Sequence, residues 1–245
     1  MTGNYKVCGV IPARYDSSRF PGKPLALIAG KPMIQHVYER ALKASLVNRL
    51  IVATDDERIF DTVIQFGGSA VMTDASHPSG TDRIAQAVGA IDCEYVLNIQ
   101  GDEPLIDPCV IDNVAQALIS DPHVVMATPI AEVTDMSDLD NPNVVKAVVD
   151  CNGFALYFSR SKVPFLRDSA DTPNKKWYKH IGLYGFRKSF LLQLIKYPPS
   201  TLEKMERLEQ LRVLENGFRI KTVMTQYVGI GVDTPEDVKE IEKRL

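Results

Sequence analysis

Short apolar segments alternate with longer amphipathic segments along the first half of the chain. The apolar segments are rich in Val and Ile, and they read VCGVIPA, RLIVAT, YVLNIQ and VVMATPI. Because both faces of these segments are apolar, they are typical of strands in a parallel sheet that helices cover. The alternation predicts the order β-α-β-α-β and therefore a doubly wound α/β fold with a mostly parallel, Rossmann-like sheet.

Helix start signals lie between these strands. Pro32 begins one helix over PMIQHVYERALKAS, and Asp56 begins the next. Residues 81–90 have the pattern of a third helix, and Asp107 with Pro108 begins a fourth. Each predicted helix therefore follows one strand and precedes another, as a doubly wound fold requires.

The pattern changes between residues 143 and 187. Three strand-like runs, NVVKAVVD, FALYFS and HIGLYGFR, follow one another there without intervening helices. Such strands favour antiparallel pairing, so we predict an inserted antiparallel arm, suited to a dimer interface or a substrate lid. A long helix over PSTLEKMERLEQLRVLENG, a strand over FRIKTVMT and a last helix follow. No internal repeat or linker appears, so we predict one domain over residues 1–245.

Composition excludes several classes of protein. At 245 residues with 45% hydrophobic side chains, the chain can bury a sizeable core. A formal net charge of −3 argues against a general nucleic-acid binder. No stretch has the length of a signal peptide's apolar region or of a membrane span, so we expect a cytoplasmic protein. The four cysteines form no CxxC pair, which leaves a zinc ribbon unsupported.

The first strand leads into a cationic loop, IPARYDSSRFPGKPL, which carries Arg14, Arg19 and Lys23. Ligands of open α/β sheets bind at the carboxyl ends of strands, which is where this loop begins. Gly22 permits close approach of the backbone, and the three cations can neutralise a polyphosphate. Neither GxxxxGK[ST] nor GxGxxG is present. A solvated loop whose cations pair with surface acids is the alternative, but its position favours phosphate binding.

Two acidic motifs suggest a metal. NIQGDEP ends another buried strand and brings Asp102 to the same sheet edge as the cationic loop. An acid that faces phosphates needs a cation between them, and Mg²⁺ takes carboxylate and phosphate oxygens while it keeps several waters. In GVDTPED, Thr234 and Asp237 form a helix capping box around Pro235. Asp233 has no capping role there, so it is either a second ligand or a surface acid.

These motifs and several others resemble one family. The chain has KPMIQHVYERA, IVATDD, HPSGTDRIA, NPNVVKAV, ALYFSR, KHIGLYGFR and LEKMERLEQLRVLENG in addition to the three stretches above. In this order they resemble the sugar-acid cytidylyltransferases, and specifically the 3-deoxy-manno-octulosonate cytidylyltransferase (CMP-Kdo synthetase) family. The resemblance covers nearly the whole chain, and the cationic loop, NIQGDEP and GVDTPED are its most specific parts. It implies a homodimeric, Mg²⁺-dependent enzyme that converts CTP and the sugar acid Kdo to CMP-Kdo and pyrophosphate, for bacterial lipopolysaccharide biosynthesis.

The resemblance also implies the residues of each site. For the nucleotide they are Pro12, Ala13, Arg14, Arg19, Lys23, Ser79, Gly80, Arg83, Gln100 and Asp102. For the sugar acid they are Gln100, Arg160, His180, Tyr184, Glu209 and Gln210. For Mg²⁺ they are Asp102 and Asp233, and with Arg14 and Lys23 these form the implied catalytic set.

Alternatives remain at two of these positions and for the reaction itself. The helix start in HPSGTDRIA suits either a base or a phosphate. Glu209 could face solvent on a helix whose core side chains would be Leu202, Met205, Leu208 and Leu211. The chain could use 8-amino-Kdo or another sugar acid, such as sialic acid, or bind CTP without catalysis. The resemblance implies that relatives expected to accept the 8-amino analogue carry Gln at the position of Glu103, so this residue favours Kdo.

Overall fold

The structure is a computed structural model that describes residues 6–16, 20–77, 79–167 and 176–245. Within these residues the strands are β1 (Val7–Ala13), β2 (Leu27–Ile28), β3 (Lys31–Pro32), β4 (Arg49–Thr54), β5 (Ala70–Met72), β6 (Tyr95–Asn98), β7 (Met126–Glu132), β8 (Lys146–Val149), β9 (Ala155–Ser159), β10 (Tyr178–His180), β11 (Tyr184–Arg187) and β12 (Ile220–Thr225). All except β2 and β3, which pair with each other, belong to one mixed sheet.

Most helices begin at or beside a position where the sequence predicts a start. They are α1 (Met33–Ala41), α2 (Glu57–Gln65), α3 (Gly80–Val88), α4 (Pro108–Ser120), α5 (Lys188–Leu194), α6 (Thr201–Glu206), α7 (Gln210–Glu215) and α8 (Pro235–Glu242). The side chain of Asp56 accepts a hydrogen bond from the backbone at the start of α2, and Asp107 does so at α4. Thr234 and Asp237 form the predicted capping box of α8. These caps satisfy backbone N–H groups that have no partner within the helix.

The main sheet has the order β5-β4-β1-β6-β11-β7-β10-β8-β9, with β12 beside β7. Strands β5, β4, β1 and β6 are parallel neighbours, and β12 is parallel to β7. Strand β11 is antiparallel to both β6 and β7, so these two have the same direction. The carboxyl ends of β1, β4, β6 and β7 therefore meet at one edge of the sheet, where a doubly wound fold binds its ligand.

Helices cover both faces of this sheet. Side chains along β1 alternate between two hydrophobic cores. On one face of the sheet, Val7 and Ile11 pack with α1, α2 and α4. On the other face, Cys8 and Val10 pack with α3 and α5. Cys8 is fully buried, which suits a small side chain in an apolar strand. The predicted α/β class is confirmed by this two-sided burial. None of the helices in the described residues has the length and apolarity that a membrane crossing requires.

The segment between residues 143 and 187 pairs in the antiparallel manner predicted for it. Strand β8 pairs with β9 and with β10, and β10 continues the sheet from β7. The HIGLYGFR run, predicted as one strand, divides into the end of β10 and all of β11. Tyr184 at the start of β11 is in register with Asn98 at the end of β6. The main sheet thus takes up these strands, and β11 brings Tyr184 to the ligand-binding edge.

The predicted long helix near residue 200 is wrong. It divides into α6 and α7, because Arg207 takes a left-handed conformation with φ 55° after α6. Leu208 and Leu211 are buried as predicted, but Met205 is 76% exposed and does not belong to the core. Since a left-handed residue changes the chain direction, the second helix begins at a new angle. Glu209 and Gln210 therefore face a cavity at the sheet edge.

Candidate active site

A cavity of about 610 Å³ opens at the edge where β1 and β6 end. A second cavity of about 160 Å³ adjoins it and shares Pro12, Gln100 and Asp102 with it. The predicted site residues on the larger wall are Pro12, Gly80, Gln100, Asp102, Arg160, His180, Tyr184, Glu209, Gln210 and Asp233. Those on the smaller wall are Pro12, Ala13, Arg14, Lys23, Gln100 and Asp102. Positions far apart in the sequence thus meet around one continuous space.

Lys23 lies between the two predicted metal ligands. Its Nζ donates to Asp102 Oδ2 at 2.8 Å and to the backbone oxygen of Val232 at 2.8 Å, and it lies 3.5 Å from Asp233 Oδ1. The backbone N–H of Val232 also donates to the Asp102 carbonyl at 2.9 Å, which ties the end of β6 to the loop before α8. The two carboxylates therefore already share a cation, in this case an ammonium group.

The chemistry of this pair fits a divalent metal ion. Asp237 Oδ2 accepts hydrogen bonds from the backbone of both Asp233 and Thr234 at 2.8 Å, so Asp237 is occupied with the helix start, as predicted. Among the described residues, no group of three or more His, Cys, Asp or Glu side chains is arranged to hold a metal. Two carboxylates are nevertheless sufficient for Mg²⁺, which completes its shell with waters and substrate phosphates.

The cationic loop is held against the mouth of the smaller cavity. Gly22 has a φ of 71°, a conformation that favours glycine, and its N–H donates to the Tyr15 carbonyl at 2.8 Å. This turn directs Lys23 inward. Arg14 donates from Nη2 to the His77 carbonyl at 2.7 Å, which joins this loop to the loop that precedes α3. Arg19 lies outside the described residues.

Two residues predicted to bind the nucleotide do not line these cavities. Arg83 is fully buried, and its guanidinium donates to Asp55 at 2.7 Å and to Thr73 Oγ1 at 2.6 Å. It therefore forms an ion pair inside the fold and does not reach either cavity in this structure, and its contact with the base stays a prediction. Ser79 caps α3 through Asp82 and faces a neighbouring cavity. Gly80, by contrast, lies on the main wall beside Pro12.

The side of the cavity near β10 and β11 is rich in hydrogen-bonding groups. His180 Nε2 lies 2.8 Å from Thr128 Oγ1, and burial lowers the pKa of His180 to about 3, so its ring is neutral. Tyr184 donates from its hydroxyl to Gln210 Oε1 at 3.2 Å, and burial raises the pKa of Tyr184. Gln210 Nε2 is buried and has no hydrogen-bond partner in the part of the chain that the structure describes. A buried donor without a partner costs free energy, so a ligand that accepts from it gains affinity.

Two charged residues complete this side. Arg160 donates to the carbonyls of Glu206 at 2.7 Å and Pro142 at 2.8 Å, and among the described residues no carboxylate pairs with its guanidinium. Glu209 Oε2 accepts a hydrogen bond of 2.6 Å from Thr81 Oγ1, and desolvation raises the pKa of Glu209. Thr81 belongs to the first turn of α3, so this bond connects the two sides of the cavity.

Sequence reasoning did not assign three further residues to the site. Thr81 was considered only as a helix start, and Tyr227 follows β12 without any recognisable motif. Glu103 is buried on the cavity wall, where the Tyr227 hydroxyl donates to it at 3.0 Å. Burial, together with the neighbouring Asp102 charge, raises the pKa of Glu103 to about 7. The sequence did point to Glu103, which directly follows a predicted metal ligand and favours Kdo over the 8-amino analogue, but it gave no contact for this side chain.

Comparison of the sequence with known proteins gives a consistent result. The family model for cytidylyltransferases matches residues 8–222. A 3-deoxy-manno-octulosonate cytidylyltransferase of Geotalea daltonii is 52% identical over 248 aligned positions, which cover 98% of each chain. The protein of the same name from Solibacter usitatus is 52% identical, over 97% of this chain and 94% of its own.

Solved structures agree with this. The structure of a CMP:2-keto-3-deoxy-manno-octonic acid synthetase complexed with CTP superimposes with a TM-score of 0.93, at 42% identity over 98% of both chains. A 4-diphosphocytidyl-2C-methyl-D-erythritol synthase from Anaerococcus prevotii gives a TM-score of 0.64 at 14% identity over 98% of both chains, a similarity of fold alone.

Proposed function

The chain belongs to the 3-deoxy-manno-octulosonate cytidylyltransferase family, and on this premise we propose that it transfers CMP from CTP to the sugar acid Kdo and releases pyrophosphate. One observation in the structure carries the proposal. The cation-bridged carboxylates Asp102 and Asp233 lie in the same cavity as Arg160 and Gln210; among the described residues the Arg160 guanidinium has no acidic partner and Gln210 Nε2 has no hydrogen-bond partner. A site for a nucleoside triphosphate thus adjoins a site for a polar acid.

The nucleotide occupies the side of the cavity formed by the cationic loop. Lys23 and Arg14 lie on the wall of the smaller cavity and neutralise the triphosphate. Gly80 at the first turn of α3 and Pro12 at the end of β1 lie close together, and the absence of a side chain on Gly80 leaves room for a planar ring. Gln100, which both cavities share, lies where nucleotide and sugar acid meet.

Asp102 and Asp233 would hold Mg²⁺. The ion would supply positive charge to the phosphate oxygens of CTP as charge develops on them. The two carboxylates orient their oxygens towards a common point, as their shared contact with Lys23 Nζ indicates. The long, flexible side chain of Lys23 can exchange these carboxylates for phosphate oxygens without a backbone movement.

The sugar acid occupies the other side. Arg160 receives its carboxylate, because this guanidinium has backbone partners but no acidic one among the described residues. Gln210 donates to a sugar hydroxyl from Nε2, Glu209 accepts from another, and the neutral His180 and Tyr184 complete the polar wall. The anomeric hydroxyl then attacks the α-phosphorus of CTP in line and pyrophosphate leaves, so the residues act by positioning and charge neutralisation.

The proposal extends to assembly and location. We place the enzyme in the cytoplasm as a homodimer that serves bacterial lipopolysaccharide biosynthesis. In support of a dimer contact within residues 143–187, Leu156 is 60% exposed and Phe165 is 84% exposed. Exposed large apolar side chains of this kind are typical of surfaces that another chain covers. Sedimentation of the purified protein at micromolar concentration measures the oligomeric state.

Pyrophosphate release from CTP tests the reaction. Kdo, 8-amino-Kdo and sialic acid are compared, each with Mg²⁺ and with Mg²⁺ plus excess EDTA. We expect release with Kdo that EDTA abolishes. If pyrophosphate were released only with 8-amino-Kdo or sialic acid, the proposed nucleotide site would stand and the proposed sugar substrate would change. CTP binding without release for any acid would instead indicate a nucleotide-binding protein that is not a catalyst.

A further inference from the structure

Lys146 in β8 is a fully buried lysine that the proposed mechanism does not use. Its ammonium donates to three backbone carbonyls, at 2.9 Å to Asn141, 2.6 Å to Val144 and 2.6 Å to Arg160. All three ammonium donors are therefore satisfied. Desolvation lowers the pKa of Lys146 from its ordinary value. The fold thus keeps a cation in its interior with only neutral partners.

The carboxylates around Lys146 are occupied elsewhere. Asp138 pairs with Lys179 at 2.8 Å, and Asp140 lies 3.6 Å from Lys162. The third is Glu206, whose oxygens accept from the Ser159 hydroxyl and the Arg160 backbone N–H. With Lys146 and Arg160 included, the cations of this group outnumber the carboxylates. A buried charge without an acidic partner is costly, and an apolar side chain would suit the surrounding run VVKAVV better.

The carbonyls that Lys146 binds belong to two segments of the main cavity wall. Val144 is part of the wall together with Asn143, and Arg160 is part of it on the neighbouring segment. The Arg160 guanidinium donates in turn to the Pro142 carbonyl at 2.8 Å. Lys146 and Arg160 therefore donate hydrogen bonds to the carbonyls of the loop at residues 141–144, and these bonds fix the position of this part of the cavity wall.

We propose that Lys146 is a positioning residue for the sugar acid: it fixes Arg160 and the loop at residues 141–144 in the binding arrangement and adds positive charge behind the carboxylate site. The inference rests on the proposed function, and it explains why the group carries a net positive charge in the free protein. The acid's carboxylate supplies the missing negative charge when it binds at Arg160. CTP binds on the opposite side and is unaffected by this group.

Lys146→Met tests the inference, because Met has a similar length but neither charge nor donors. Lys162→Met is the matched control, since Lys162 is nearby, half exposed and, among the described residues, ion-paired with Asp140. We expect Lys146→Met to raise KM for Kdo roughly tenfold to a hundredfold, the effect of losing hydrogen bonds to a charged group. KM for CTP should stay within about twofold, and Lys162→Met should match the wild type in both values.

An unchanged KM for Kdo in Lys146→Met would overturn the inference, as would an equal rise in both KM values, which indicates a general structural role. If the variant does not fold, hydrogen exchange of the wild type decides. Kdo should then slow exchange at residues 141–146 and CTP alone should not; no change with Kdo would contradict the proposal. A wild-type protein that binds CTP but neither binds nor uses Kdo would refute the proposed sugar substrate itself, which is a separate outcome.

Discussion

The Lys23 ammonium lies 2.8 Å from the carboxylate of Asp102, and the same nitrogen lies 3.5 Å from Asp233. The three residues come from the cationic loop, the end of β6 and the loop before α8, so the contact joins three segments that are far apart in the sequence. In this arrangement Lys23 offsets the repulsion between two acids that the proposed reaction needs at the same point. It also lies within reach of the phosphates that would approach them.

Lys23→Met should therefore lower the thermal stability of the free protein and make it depend on divalent cations. Without the ammonium, Asp102 and Asp233 face each other with less compensation, and a bound cation replaces the missing charge. We expect Mg²⁺ to raise the melting temperature of this variant by several degrees more than that of the wild type. Differential scanning fluorimetry with and without Mg²⁺ measures this. An identical Mg²⁺ response in both proteins would show that Lys23 does not share the carboxylates' cation position.

The double variant Tyr184→Phe with Gln210→Leu should separate stability from sugar binding. It removes both partners of the Tyr184 hydrogen bond together with the unpaired Nε2 of Gln210. Replacing both partners by apolar groups is close to neutral for stability, and removing an unsatisfied donor is favourable by about 1 kcal/mol. We expect an unchanged or raised melting temperature and a KM for Kdo that rises at least about tenfold. A fall in stability with unchanged KM would assign the pair to the core alone.

Thr81→Val should weaken sugar binding, because it removes the hydroxyl that donates to Glu209 at 2.6 Å and keeps the shape of the side chain. The expected rise in KM for Kdo is roughly tenfold, the usual effect of losing one charge-assisted hydrogen bond. Thr81→Ser restores the hydroxyl and should recover most of the affinity. If Thr81→Val kept the wild-type KM for Kdo and Thr81→Ser did not, the methyl group and not the hydrogen bond would be the important feature.

His180 should make the protein less stable in acid. Its pKa is lowered by burial to about 3 in the folded protein, whereas the unfolded chain takes up the proton near its ordinary value of 6.5. Between these values the unfolded state binds more protons, so the free energy of unfolding falls as pH falls from about 6.5 towards 3. Urea unfolding at several pH values measures the slope. In His180→Gln the slope should be smaller by up to about 1.4 kcal/mol per pH unit; equal slopes would contradict a ring that is neutral in the folded protein.

Local signals were sufficient for the elements that position the site. Asp56, Asp107 and Thr234 mark helix starts because a cap depends on residues within one turn, and the structure confirms each. The sheet covered by helices on both faces was also predictable from local sequence, because its strands are apolar on both faces. The ligand edge followed from the rule that parallel strands end together, which correctly brought the cationic loop and Asp102 to one place.

Local sequence signals could not predict contacts between side chains and segments that are far apart in the sequence. Arg83 lies in a motif near the cavity, yet its partner Asp55 belongs to a different strand end, and the ion pair turns the side chain away. The left-handed Arg207 divides a segment whose leucine spacing predicts one helix, because a non-glycine residue with positive φ has no sequence signature. In the sequence Lys146 is only a charge within an apolar strand, and the three carbonyls that accept its hydrogen bonds come from loops whose course the sequence does not reveal.

The most direct test of the account is the turnover of Asp102→Asn at saturating CTP, Kdo and Mg²⁺, with pyrophosphate release as the readout. The change keeps the shape of the side chain and removes the charge that the account assigns to the cation site. Asp61→Asn, at an exposed position of α2, is the matched control. We predict a fall of at least about 100-fold for Asp102→Asn, with an unchanged circular dichroism spectrum and wild-type turnover in the control. Turnover of the Asp102→Asn protein within a few-fold of the wild type would contradict the claim that these carboxylates carry the reaction.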